Sequence, residues 1–237
     1  MNDIDKNNEL KEPIEEKSYL SNILLFFLDI LANATIIIIL VLLIRTFIIA
    51  PFQVYGPSMC NVLNYYDSTC KQGPGEYLII NKFIYKNYAI KKGQDPKRGD
   101  IIVFKEPTKQ EEYYIKRIIG IPGDTLILED GFVYIKNDQF ETPIKLNETE
   151  YLNELNFGNT KAFRNDLNEF HVPENAYFVM GDNRTASADS RRLFNENDLE
   201  NGAFISKDLI VGKAWTVIWP LANIRILEDP DYQVFDK

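Results

Sequence analysis

Histidine is almost absent from this chain: His171 stands alone among 237 residues, and only two cysteines, Cys60 and Cys70, accompany it. So few ligands cannot assemble a zinc site of the Cys/His kind, and a Ser/His/Asp triad would rest entirely on His171, which reads more simply as a structural residue. Basic charge is also scarce. With 26 Lys and Arg against 35 Asp and Glu, the formal net charge is -9. That balance argues against a nucleic-acid partner, whose phosphates need a basic face, and speaks mainly to solubility. Internal repeats and low-complexity tracts are missing as well. A hydrophobic fraction of 45% with 13% aromatics excludes a disordered chain.

The length suits one large domain, or two small ones, plus an anchor. Residues 1–18 are polar, with Lys6, Lys11 and Lys17 among six acids, and read as a disordered tail. Residues 19–50 are nearly continuously apolar, and 30–44 carry no charge. Taken as a helix, residues 30–50 span about 31 Å, the thickness of a hydrocarbon core. That frame leaves Asp29 at one interface and lets Arg45 snorkel to the other, whereas a frame over 19–44 buries Asp29 at a cost of about 2.5–3.5 kcal/mol. A tilted helix covering both is the alternative. A cleavable signal has a shorter apolar run behind a basic start, so an uncleaved single-pass anchor is expected, with a buried core helix as the competing reading. Three lysines precede the run, and no Lys or Arg lies between Thr46 and Cys70. Lysine and arginine counts therefore put the tail inside and the body outside.

Residues 51–237 read as an all-β body. Pro51 ends the helix, and 52–55 lead on as an extended segment. Strands are expected at 76–85, 101–104 and 113–120. After a turn at 122–124, residues 125–129 and 132–136 flank Asp130-Gly131 as a hairpin. Residues 138–169, rich in Asn and Glu, look like an insertion or cap. The β pattern returns at 176–180 and over 209–226, which includes Trp215 and Trp219. Short strands separated by turns favour a mainly β, antiparallel fold over a parallel α/β one.

Gly56-Pro57-Ser58-Met59 follows the anchor closely. Such a triplet is commonly only a turn. If Ser58 is a nucleophile it needs a base, and with no suitable histidine the candidates are lysine and carboxylates. Lys116 shares a strand face with Tyr114 and Ile118. Apolar neighbours imply partial burial, which can lower a lysine from about 10.4 towards roughly 7 to 8, the range a general base needs. A solvent-facing lysine on an edge strand is the plainer alternative. In residues 181–191, Ser187 could accept a hydrogen bond from such a lysine. Asp182, Arg184, Asp189 and Arg191 could hold the loop by paired charges, or form an ordinary solvated loop.

Five segments, in order behind the apolar helix, resemble the bacterial type I signal peptidases, membrane-anchored serine proteases that remove signal peptides from exported proteins. They are Arg45-Thr46-Phe47 with Pro51-Phe52-Gln53-Val54, then Pro57-Ser58-Met59, and next Arg98-Gly99-Asp100-Ile101-Ile102-Val103-Phe104. Tyr114-Ile115-Lys116-Arg117-Ile118-Ile119-Gly120 with Pro122-Gly123-Asp124 follows, and then Gly181-Asp182-Asn183-Arg184 with Ser187-Ala188-Asp189-Ser190-Arg191. The resemblance implies Ser58 as nucleophile, Lys116 as general base and Ser187 as the residue orienting the lysine. Asp182, Arg184, Asp189 and Arg191 would be structural supports. Substrate would add an extended strand between residues 53–56 and 113–115, contacting Gln53, Val54, Met59, Tyr114 and Ile115. Shallow pockets lined by Val54, Met59 and Ile115 would admit small side chains, as in an Ala-x-Ala pattern. The resemblance implies secretory precursors and the lipid bilayer as partners, a bacterial plasma-membrane location, and no metal or cofactor.

Two departures stand out. Some relatives carry a serine where this chain has Gly56, which leaves the Ser58 backbone N–H as the remaining oxyanion donor. The connection after Cys60 is also longer, running through Tyr65, Tyr66 and Asp67 to Cys70. Two cysteines outside the cell closing a short loop suggest a disulfide worth about 3 kcal/mol, with buried free thiols as the alternative. A self-cleaving Ser/Lys regulator would need a DNA-binding head where the anchor stands. An inactive membrane-tethered β domain that binds peptides differs only in the reactivity of Ser58 and Lys116.

Overall fold

The computed structural model describes residues 15–66, 69–87, 92–164, 166–232 and 234–235, and the chain divides into two compact units, Met1–Thr46 and Phe47–Lys237. The tail expected over residues 1–18 lies outside the described residues as far as residue 14. Helix α1 covers Glu15–Leu43 and passes into a π-helical turn at Ile44–Ile48. From Tyr19 to Ile48 the side chains are exposed on every face. These 30 residues are long and apolar enough to cross a membrane, reaching about 45 Å as a helix. A helix apolar all round finds burial only in a hydrophobic medium.

The expected anchor of residues 19–50 is too long by two. Ile49 and Ala50 belong to the first strand and pair with Asn81 and Ile80, so ladder formation, not apolar composition, decides their conformation. Pro51 does not end the helix either. It lies inside that strand opposite Ile79, at the edge of a sheet, where a missing N–H is tolerated.

The second unit contains β1 (Ile49–Tyr55), β2 (Tyr65–Tyr66), β3 (Thr69–Cys70), β4 (Pro74–Asn81), β5 (Ile101–Lys105), β6 (Tyr113–Gly120) and β7 (Thr125–Glu129). Then come β8 (Phe132–Asn137), β9 (Phe140–Lys145), β10 (Glu169–His171), β11 (Ala176–Met180), β12 (Ile205–Ser206), β13 (Ile210–Trp219) and β14 (Arg225–Ile226). The large sheet has the order β1-β4-β13-β5-β6-β11-β12, with β14 on β13; a second sheet runs β10-β7-β8-β9, and β2-β3 form a small ribbon. Every recorded pairing is antiparallel.

Strand β6 joins three apolar clusters. Ile115 packs with Val54, Met59, Leu78 and Val103, Ile118 with Ile102, Phe104 and Val179, and Ile119 with Leu126, Val133 and Phe178. From Ile115 to Gly120 every residue is buried. With both faces covered, the strand loses the alternation of a half-exposed one. The β7–β8 hairpin turns as its sequence demands, with Asp130 at φ 49 and Gly131 at φ 85, the two left-handed residues of a type I′ turn. β4 is shorter at its far end than residues 76–85 would make it, because the Asn81 side chain accepts from Phe83 and Ile84 N–H and turns the chain away.

Residues 138–169 are not a detached cap. They supply β9 to the second sheet, bring Leu146, Tyr151 and Leu152 into the core, and bury Glu148 against Arg184. β9 faces solvent along most of its length, which explains why its polar sequence hid a strand. Glu148→Ala would strand a buried guanidinium, and we expect a loss of about 3–5 kcal/mol, read by denaturant titration of the full chain in detergent. A loss below about 1 kcal/mol would mean that solvent reaches Arg184.

Candidate active site

Ser58 lies in the turn after β1. Gly56 adopts φ +78 and donates its N–H to Gly73 O at 3.0 Å, while Cys60 N–H closes the turn on Pro57 O at 2.9 Å. Met59, Cys60 and Leu63 are buried and anchor the far side. Lys116 lies in β6 opposite Ile102 of β5 and is 4% exposed. Its Nζ is 2.9 Å from Ser58 Oγ and 2.8 Å from Ile115 O. Burial pushes its pKa down to about 8, against a smaller opposing pull from Asp189 and Asp182. A neutral amine at that distance can accept the Ser58 hydroxyl proton.

The 181–191 loop packs on the backbone of Ser58. Asn183 N–H donates to Ser58 O at 3.0 Å, and Asn183 Nδ2 donates to Pro57 O at 3.2 Å. A Cβ on Gly181 would come within 2.3 Å of both Ser58 O and Ser187 Oγ, so only glycine fits there. Ser187 itself is buried beside the site, but the bond expected between it and Lys116 does not form. Its hydroxyl bears on the Asp189 carboxylate, whose pKa it helps hold down, and the Ile115 carbonyl takes the lysine's second contact. Gly181 brings Ser187 against the serine's main chain instead.

The four charged supports pair differently from a self-contained loop. Asp189 holds Arg191 at 2.8 and 2.9 Å and also accepts Gly181 N–H at 3.0 Å. Burial works against its carboxylate, yet the Arg191 guanidinium and these hydrogen bonds keep its pKa below the usual range. Asp182 reaches Arg117 of β6 at 2.8 and 2.9 Å, and Arg184 reaches Glu148 and Thr160. Asn183, Arg117, Glu148 and Thr160 thus join the site's frame although sequence reasoning gave them no role. Asn183 and Arg117 stood inside the quoted segments; Glu148 and Thr160 carried no signal.

A cavity of about 310 Å³ opens over the pair, lined by Ser58, Lys116, Gln53, Tyr114 and Ile115, with Phe52, Tyr55, Tyr113 and Ala188 completing the wall. Val54 and Met59, expected to line it, do not; both are buried in the core beneath. Strand alternation turns Val54 inward and leaves Gln53 and Tyr55 facing out. β1 is an edge strand, and residues 113–116 of β6 pair only with β5, because β11 begins its pairing at Arg117. Two open backbone edges therefore border the cavity. Cys60 and Cys70 are joined by a disulfide with Cα atoms 5.7 Å apart. His171 lies exposed on β10, paired with Thr125 and Glu169, in the other sheet from Ser58's neighbours. Among the described residues no cluster of His, Cys, Asp or Glu could hold a metal ion.

Comparison with known proteins gives a consistent result. The family described as "Signal peptidase, peptidase S26" matches residues 27–219. Signal peptidase I P of Bacillus subtilis subsp. natto is 39% identical over 89% of this chain and 97% of its own length. Signal peptidase I T of Bacillus subtilis strain 168 is 34% identical over 80% and 84%, and signal peptidase I of Pseudomonas fluorescens 31% identical over 78% and 70%.

Burial of Lys116 makes a direct prediction about its titration. In carbon-13 lysine NMR of the full chain in detergent, one resonance should titrate with a midpoint near 8 and vanish in Lys116→Met. All lysines titrating near the usual value of about 10.4 would mean the amine is hydrated.

Proposed function

The chain belongs to the signal peptidase family, peptidase S26, and from that premise we propose that it cleaves signal peptides from exported precursors with Ser58 as nucleophile and Lys116 as general base. The observation that carries this reading is the 2.9 Å approach of a buried lysine amine to a serine hydroxyl on the wall of a cavity. Ser58 Oγ attacks the scissile carbonyl carbon as its proton passes to Lys116 Nζ. The oxyanion of the tetrahedral intermediate takes the Ser58 backbone N–H, which has no acceptor among the described residues. Collapse breaks the C–N bond, and Lys116 returns its proton to the departing amine. Lys116 then takes a proton from water as that water attacks the ester carbonyl; the bond from Ser58 Oγ to the acyl carbon breaks, Lys116 returns its proton to Oγ, and the signal peptide leaves with its new carboxyl group.

The open edges of β1 and β6 support binding of the precursor as an added strand, with main-chain hydrogen bonds supplying affinity and the wall residues supplying selection for small side chains. Ser187 packs beside the dyad as a support. Asp182, Arg184, Asp189 and Arg191 hold the loop through their buried partners. No metal or cofactor takes part in this scheme.

In the same reading, residues 1–18 form a cytoplasmic tail, the apolar helix is a single-pass anchor in the bacterial plasma membrane, and the β body works on the outer side. The Cys60–Cys70 disulfide supports an oxidising location for the body. The lipid bilayer is a partner of the body too. Trp215, Trp219, Leu221, Ile224 and Ile226 are at least half exposed, an apolar surface with two tryptophans of the kind found at membrane interfaces.

The test is cleavage of a secretory precursor carrying a small-x-small sequence by the full chain in detergent. We expect one cut after that sequence, a loss of more than about a thousandfold in Ser58→Ala, and a loss of about 10²–10⁴ in Lys116→Met. Activity should rise with pH through about 8, because the protonated amine present below that value cannot accept a proton. Full activity in either variant would remove the dyad, and a folded chain that cuts nothing would leave a peptide-binding domain.

A further inference from the structure

Asn64 is buried, and all its polar groups are engaged. Its backbone N–H donates to Glu76 Oε2 at 2.9 Å, and its carbonyl accepts from Lys71 N–H at 2.9 Å. Its side-chain Oδ1 accepts Glu76 N–H at 2.8 Å; its Nδ2 donates to Gly56 O at 2.9 Å and to Val54 O at 3.4 Å. Glu76 is fully buried in turn. Arg225 donates to both oxygens of its carboxylate, at 2.7 and 2.9 Å, and Asn223 Nδ2 donates at 3.1 Å. Arg225 also donates to Val62 O.

None of these side chains lines the cavity. They meet instead on the backbone of the turn that carries the nucleophile. Gly56, two residues before Ser58, has its carbonyl held by Asn64 and its N–H held by Gly73 O. Pro57 has its φ fixed by its ring, and its carbonyl accepts from Cys60 N–H and Asn183 Nδ2. The peptide plane that aims the Ser58 N–H is thereby fixed from both sides. Asn64 suits its place because its φ of 60 is a left-handed conformation that asparagine tolerates better than most residues. Gly75 is matched to it: a Cβ there would come within 2.1 Å of Asn64 Oδ1.

We propose that Asn64, backed by Glu76 and Arg225, is a positioning residue that aims the Ser58 backbone N–H at the developing oxyanion. Gly56 offers no hydroxyl to share that task, so the orientation of the one backbone donor weighs more on the rate. The inference rests on Ser58 being the nucleophile. It adds a role for residues outside the cavity, acting in the transition state and not in substrate binding.

The test measures kcat and KM for a small-x-small peptide with the full chain, Asn64→Gly, Glu76→Gln and Ser58→Ala, across pH. Asn64→Gly keeps the left-handed backbone and removes the side chain, and Glu76→Gln keeps the shape and removes the charge. Asn64→Gly should lower kcat by about ten- to a hundredfold, with KM held within about twofold and the pH midpoint still near 8. Glu76→Gln should show the same split at smaller amplitude. An unchanged kcat, a rise in KM alone, or a moved pH midpoint would overturn the proposal. Should Asn64→Gly fail to melt cooperatively, Glu76→Gln decides by the same criteria. If the unmodified chain cuts nothing, the reading of Ser58 fails with it; if that chain cuts, Ser58→Ala does not, and Asn64→Gly matches the unmodified chain, this inference alone falls.

Discussion

An ammonium group taken out of water loses hydration that contacts with one hydroxyl and one carbonyl cannot replace, so burial draws the Lys116 pKa down to about 8. That condition reaches well beyond the site. It requires β6 to be covered on both faces, which the three apolar clusters around Ile115, Ile118 and Ile119 accomplish. It also requires that nearby carboxylates not restore the charge. Asp189 and Asp182 both pull the lysine's pKa up, yet each is already committed to a guanidinium, Arg191 and Arg117 respectively. With their fields largely offset, burial decides the direction of the shift.

The same economy explains why so many arginines are buried here. Arg98, Arg117, Arg184 and Arg191 each meet a carboxylate. Such pairs are weak sources of net stability, because desolvation offsets most of the attraction. Their planar forks do fix geometry. Arg117 links β6 to the 181–191 loop, Arg184 links that loop to residues 138–169, and Arg98 links the start of β5 to the turn before β7 through Asp124 and the Ile119 carbonyl. The loop that packs on Ser58 is thus registered against two parts of the body, β6 and residues 138–169, by contacts that tolerate little displacement.

What could be read from the sequence followed what is local. The apolar helix, the Asp130-Gly131 hairpin, and Ser58 and Lys116 within their segments all carry their signal within a few residues. Lost were features set by distant partners. Glu148 lies 36 residues from Arg184, and nothing in the polar run around it marks a core acid. The family resemblance makes Val54 and Met59 pocket walls; the pleat of β1 and the packing under the turn bury them instead. Composition places Ile49 and Ala50 in the helix but cannot register the ladder offered by β4. Its place in a motif makes Ser187 the lysine's partner, yet a carbonyl adjacent in sequence, that of Ile115, reaches the amine.

The Cys60–Cys70 bridge and Asn64 answer one structural difficulty. Between the turn that carries Ser58 and β4 the chain makes an excursion through the small β2–β3 ribbon, longer than a direct link would be. Lengthening a connection raises the entropy lost when its ends are fixed, though slowly. The ribbon adds little core of its own, since among its described residues only Leu63, Asn64 and Cys60 near its base are buried. Left untied, it would let the segment beside Ser58 fluctuate. The disulfide closes the excursion two residues from the serine, and Asn64 closes it again by spanning Gly56 and Glu76. The chain's two cysteines therefore lie at the point where a long connection adjoins Ser58, and there a covalent tie limits motion that apolar packing does not reach.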